Sequence, residues 1–119
     1  MKWRVLPLLV LLACGHWTEL DEVECPPQGT ALTYDNWASG FFGTWCNSCH
    51  SVNVEDRNGA PRAYVFDNYD QVFALRDRIF LRSAAANDTM PPGPDDPPEE
   101  ERDRLAEWIA CGAPLTQAE

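Results

Sequence analysis

Three stretches of this chain carry apolar residues at helical spacing, and polar, proline-containing segments separate them. In the first, Ala38, Phe41, Phe42 and Trp45 fall at i, i+3, i+4 and i+7, the stripe by which an amphipathic helix meets a core. Thr33 and Asp35 both stand where an N-cap would accept the free amides of a first turn. The predicted helix therefore runs from Thr33 to Trp45. In the second stretch, Asn68 and Gln71 have the form of a capping box. Behind them Val72, Leu75, Ile79 and Phe80 predict a helix reaching Arg82. The third opens on Asp96-Pro97-Pro98-Glu99, read as a cap followed by proline at the first helical position and an acid at the third. Leu105, Trp108 and Ile109 form its apolar side, Glu100, Arg102, Asp103 and Glu107 its polar side, and Gly112 and Pro114 end it. No sustained alternation marks a strand, and Tyr64-Val65-Phe66 is too short to form one. The expected fold class is all-α: three main helices joined by long loops. Loops this long in a small domain need something large to fill the space between the helices.

The ends of the chain differ from the middle. Lys2 and Arg4 precede an apolar run from Val5 to Ala13, too short to span a bilayer and of the kind found in secretory leaders. The run ends in Leu11-Leu12-Ala13-Cys14-Gly15, which resembles the lipobox of bacterial lipoproteins. That resemblance implies cleavage before Cys14 and a lipid anchor on its thiol. The protein would then be held at the periplasmic side of the cell envelope, with Gly15 in place of an aspartate favouring the outer membrane. The other reading is an ordinary secretory cut after Ala13 with Cys14 left as a free thiol. The chain divides accordingly into a signal peptide (1–13), a tether and lead-in segment (14–32) and a domain (33–116).

Charge narrows the range of partners. The full chain has a net charge of −10. Without residues 1–13, seven arginines face nineteen acids, giving −12, and no lysine remains. Nucleic acid is excluded as a partner on this balance, and anionic membrane surfaces are disfavoured.

The chemistry concentrates in Gly43-Thr44-Trp45-Cys46-Asn47-Ser48-Cys49-His50-Ser51, which holds two of the five cysteines and one of the two histidines. Three readings compete for this C-x-x-C-H pattern. Zinc needs a second ligand pair at comparable spacing, whereas Cys14, Cys25 and Cys111 are isolated. A thiol–disulfide redox pair needs a β-α-β setting with its thiols at a helix N-terminus; here they follow the end of a predicted helix. The third reading is covalent haem attachment, for which the pattern is a signature. If the turn is helical, positions i, i+3 and i+4 share a face. Both thiols can then bond the porphyrin while His50 supplies the proximal nitrogen to iron. Export fits this reading, since such attachment occurs outside the bacterial cytoplasm.

At this point the chain resembles the small monohaem cytochromes c of bacteria. In that family the first helix carries a small residue eight positions before the first haem cysteine and a large apolar one four before it, where Ala38 and Phe42 stand. An aromatic of the closing helix packs into the helix crossing, where Trp108 matches, and Trp108-Ile109 followed by Gly112-Ala113-Pro114 resembles the family's ending. The resemblance spans Thr33 to Pro114. It implies the cytochrome c fold around one haem c per chain and one-electron transfer to redox protein partners, not an enzyme. It also implies a loop proline whose carbonyl accepts from the proximal histidine, for which Pro61 is the candidate. For the sixth iron ligand, the mature chain offers one methionine, Met90 before Pro91-Pro92. It also offers His16, read as a solvated histidine in the tether. Met90 is therefore the expected distal ligand. If the first and last helices cross, Cys25 and Cys111 come close enough for a disulfide. The five cysteines then divide as one for lipid, two for haem and two for a disulfide. Two alternatives stand beside this reading: a haem-based sensor or gas-binding module, and a non-haem lipoprotein interaction module with Cys46 and Cys49 in a disulfide.

Overall fold

The computed structural model describes residues 17–117; Cys14, His16 and the signal peptide lie outside the described residues. Within them the chain is helical, without strands. A π-helical turn, Tyr34–Ala38, leads directly into α1, Ser39–Trp45. Then come α2, Tyr69–Ala74, α3, Arg76–Ser83, and α4, Glu99–Ala110.

Local chemistry accounts for where each element starts and stops. Thr33, rather than Asp35, caps the first helical segment. Its hydroxyl accepts from the Asn36 N–H (3.0 Å), and its own N–H donates to the Asn36 side-chain oxygen (2.8 Å). The amides of both Trp37 and Ala38 then point to the Thr33 carbonyl, which widens this first turn.

The second predicted helix is broken at Leu75 into α2 and α3. Asn68 caps α2 through the Gln71 N–H, but the Gln71 side chain accepts from Asp67 (2.8 Å), so the box is not reciprocal. At the break, the Phe73 carbonyl accepts from the Arg76 guanidinium (2.7 Å), which also lies 4.0 Å from the Phe73 ring centroid. A side chain thus takes the acceptor that an unbroken helix would offer to its next turn.

α4 begins at Glu99, two residues later than the Asp96 cap predicts, and no side chain caps it. Pro98 disfavours helical geometry at Pro97, and Pro98 itself is extended (φ −54°, ψ 151°). Glu99, Glu100 and Glu101 place negative charge on the first turn, where the helix dipole favours it. The other end closes with a Schellman pair: Gly112 N–H to the Ile109 carbonyl and Ala113 N–H to the Trp108 carbonyl. Gly112 has φ +91°, open to glycine without strain.

That turn carries Pro114 back over the helix. Its carbonyl accepts from the Trp108 indole (3.1 Å) and from the Tyr34 amide (2.9 Å). Trp108 is fully buried, with its ring 6.3 Å from that of Phe42. Phe42, Val72, Phe80 and Leu105 complete the centre of the core. Residues 17–32 are laid against this body. Leu20, Val23 and Leu32 pack on the core, Thr30 donates to Glu107 (2.7 Å), and a disulfide joins Cys25 to Cys111 at the end of α4.

Candidate functional site

α1 delivers the chain to Cys46, whose carbonyl accepts from both the Cys49 amide (3.2 Å) and the His50 amide (3.0 Å). The second bond is an i to i+4 helical contact, so the C-x-x-C-H segment closes as one helical turn. Cys46 and Cys49 are free thiols in this turn, not bonded to each other. Burial pushes the Cys46 thiol up to about 12. A thiol held protonated is a poor redox nucleophile or thiolate ligand. Cys49 Sγ receives the Asn58 amide at 3.3 Å.

His50 is fixed on two sides. Its Nδ1 lies 2.8 Å from the Tyr64 carbonyl. A carbonyl can only accept, so Nδ1 carries a proton, and in the neutral ring the lone pair is on Nε2. The Phe66 ring lies 4.8 Å from the imidazole, tilted by 33°. The Phe66 amide returns to the His50 carbonyl (2.9 Å), and the Asn47 amide group donates to the Phe66 carbonyl (2.9 Å). Asn47 Oδ1, inside the motif, is buried without a partner.

The acceptor for His50 is Tyr64, not Pro61. A turn closes from Tyr64 N–H to the Pro61 carbonyl (3.0 Å), and the same carbonyl receives Arg57 Nη2 (3.1 Å). The turn thereby occupies the Pro61 carbonyl and presents that of Tyr64, three residues on. Arg57 fastens the whole loop. Its Nε donates to the Cys49 carbonyl (3.1 Å), and its Nη2 reaches Tyr64 (2.9 Å) as well as Pro61. Sequence reading missed Arg57, Tyr64 and Phe66. The legible signal was an apolar Tyr64-Val65-Phe66 triplet closing an otherwise polar loop.

Met90 stands elsewhere, on the loop after α3. Its N–H donates to the Arg82 carbonyl (2.9 Å), and the Thr89 hydroxyl points to the same oxygen (3.3 Å). These bonds satisfy a carbonyl that the end of α3 would otherwise leave unpaired. The Met90 side chain is exposed, as is Leu81 beside that carbonyl. Arg102 of α4 holds both ends of this loop, through the carbonyls of Ala85 (3.0 Å) and Pro97 (2.8 Å).

On the outer side of the first helical segment, Trp37, Phe41 and Trp45 line a groove of about 300 Å³. The Trp45 indole donates there to Glu101 (2.8 Å), tying the end of α1 to the start of α4. Neither cysteine of the motif nor His50 lines this groove. Among the described residues, no three of His, Cys, Asp and Glu gather as a metal-binding group, and no helix is long and apolar enough to cross a membrane. Comparison with protein-family models, curated proteins and solved structures finds no match.

Proposed function

We propose that this chain is a c-type cytochrome of the bacterial cell envelope, anchored through lipid on Cys14 and carrying single electrons between redox proteins. The observation that carries the reading is the closed turn of Cys46, Cys49 and His50, with His50 Nδ1 donating to Tyr64, which leaves Nε2 as the nitrogen a neutral ring offers a metal. This is the tautomer and the free nitrogen that an axial histidine needs. The donor set fits covalently attached haem: two free thiols and one imidazole on a single helical turn.

In this reading Cys46 and Cys49 would hold the porphyrin, each by adding its S–H across a vinyl group, His50 and Met90 would ligate the iron, and the fold would be that of a cytochrome c. Bound haem supplies a one-electron couple at its iron. The chain's own contributions are to fix the His50 ring through Tyr64 and Phe66, to keep water from the core side through Phe42 and Trp108, and to bring a thioether on the loop after α3. Leu81 near the end of α3 and Met90 on the loop after it are both exposed and offer apolar surface for an apolar ring to cover.

The test is expression in cells competent for covalent haem maturation, read by visible spectrum and intact mass. Red protein with one haem per chain is expected, lost when Cys46 and Cys49 are replaced by alanine. Colourless protein with two titratable thiols would overturn the reading. The exposure of Met90 favours one second reading, a haem sensor or gas-binding module whose iron Met90 leaves open. Tight carbon monoxide binding by the reduced protein at neutral pH separates it from the electron carrier.

A further inference from the structure

We infer that Arg57 is a positioning residue for His50 that also limits how strongly the imidazole donates to a bound iron; this rests on the haem reading above. The Tyr64 carbonyl is shared by two donors, His50 Nδ1 at 2.8 Å and Arg57 Nη2 at 2.9 Å. A carbonyl oxygen has two lone pairs, so both bonds form together. They do not reinforce each other. The guanidinium is charged, and charge-assisted bonds are roughly twice as strong as neutral ones. It draws density from the oxygen and leaves a poorer acceptor for the imidazole N–H. A histidine whose N–H is held less strongly is a less basic ligand, and second-shell bonding of this kind tunes a metal.

The geometry explains why an arginine stands there. Its three bonded carbonyls, on Cys49, Pro61 and Tyr64, lie across the beginning and end of one loop. A planar fork with Nε and Nη2 both donating can span them, whereas the point charge of a lysine cannot. Arg57 therefore links the backbone of the second haem cysteine to the acceptor of the next residue's side chain. Positioning and tuning come from the same three bonds.

The test compares the haem-loaded protein with Arg57→Gln and Arg57→Lys, each also placed in a Met90→Ala background. The reduction potential of the parent pair is measured together with the iron–histidine stretching band of the ferrous Met90→Ala forms. Freed from its competitor, the Tyr64 carbonyl should strengthen the bond to His50 and favour ferric iron. The expected result is a lower potential in both variants, by up to about tenfold in the oxidised-to-reduced ratio, which is about 59 mV for one electron. The stretching band should move to higher frequency in both. Lysine retains the charge, so recovery of the parent potential and band in Arg57→Lys would reduce the effect to charge alone and overturn the inference. So would an unmoved band in Arg57→Gln. Failure of the unsubstituted protein to take up haem would instead sink the cytochrome reading.

Discussion

Two long loops join the helices, one after the Cys46–His50 turn and one after α3, and an arginine fastens each of them. They are fastened differently. Arg57 belongs to its own loop and ties its end back to its beginning, at Cys49, Pro61 and Tyr64. The loop closes on His50, whose ring sits between the Tyr64 carbonyl and the Phe66 face. Arg102 belongs to α4 and pins the other loop near its two ends, at Ala85 and Pro97. Between those pins the main chain of Met90 is bonded to Arg82, but its side chain is exposed. The first loop orients a side chain; the second orients a backbone and leaves its side chain free. In the cytochrome reading, the proximal ligand is thus set by the chain before anything binds, and the distal ligand is set by what binds.

The largest effect should come from removing each ligand in turn. His50→Ala takes away the side chain toward which the first loop is built. It is expected to abolish the low-spin spectrum and most of the attached haem. Met90→Ala should leave haem attached, remove the ferric methionine-to-iron charge-transfer band and open the reduced protein to carbon monoxide. Visible spectra of the two variants decide the matter. Equal loss of haem in both would erase the proposed asymmetry, and an unchanged spectrum in Met90→Ala would remove Met90 from the iron.

The next effect separates the loops by stability. The loop after α3 leans on the lead-in segment, where the Ala86 amide donates to Trp17 (2.9 Å) and the Asn87 side chain to Thr18 (2.9 Å). That segment is held in turn by the Cys25–Cys111 disulfide across a separation of 86 residues. Replacing both cysteines by serine should cost about 4.6 kcal/mol in the chain-entropy account, measurable by denaturant titration. Hydrogen exchange should rise at the Ala86 amide while the Phe66 amide, bonded to His50, stays protected below the global limit. Equal loss of protection at both would show that the two loops open as one unit.

The same contrast explains what could be read without coordinates. The stripes of Ala38, Phe42 and Trp45, of Val72 and Ile79, and of Leu105 and Trp108 are local periodicities, so the helical class was legible. The break at Leu75 was not, because it depends on Arg76 turning back onto Phe73. The late start of α4 follows from the effect of Pro98 on Pro97, which here outweighs the preference for proline at a first helical position. In the site, C-x-x-C-H is a sequence pattern and was found as one. Arg57 donates only to backbone carbonyls, which carry no residue signature, so nothing in a polar loop marked it. The docking of residues 17–32 rests on a few apolar contacts, scattered hydrogen bonds and one disulfide, none of which leaves a periodicity.

The smallest effect concerns Pro61. Its carbonyl is occupied by Arg57 and by the Tyr64 amide, and alanine would keep that carbonyl. What Pro61→Ala changes is the freedom of the unfolded chain, worth about 0.4–1 kcal/mol when the folded conformation suits both residues. Because Arg57 and the turn to Tyr64 both remain, the carbonyl that meets His50 should not move. The expected result is a slightly lower unfolding midpoint with an unchanged reduction potential. A potential shift as large as that of Arg57→Gln would return control of His50 to the proline. The first loop would then owe its order to a stiff residue rather than to a fork of hydrogen bonds, and its difference from the Pro91-Pro92 loop would largely disappear.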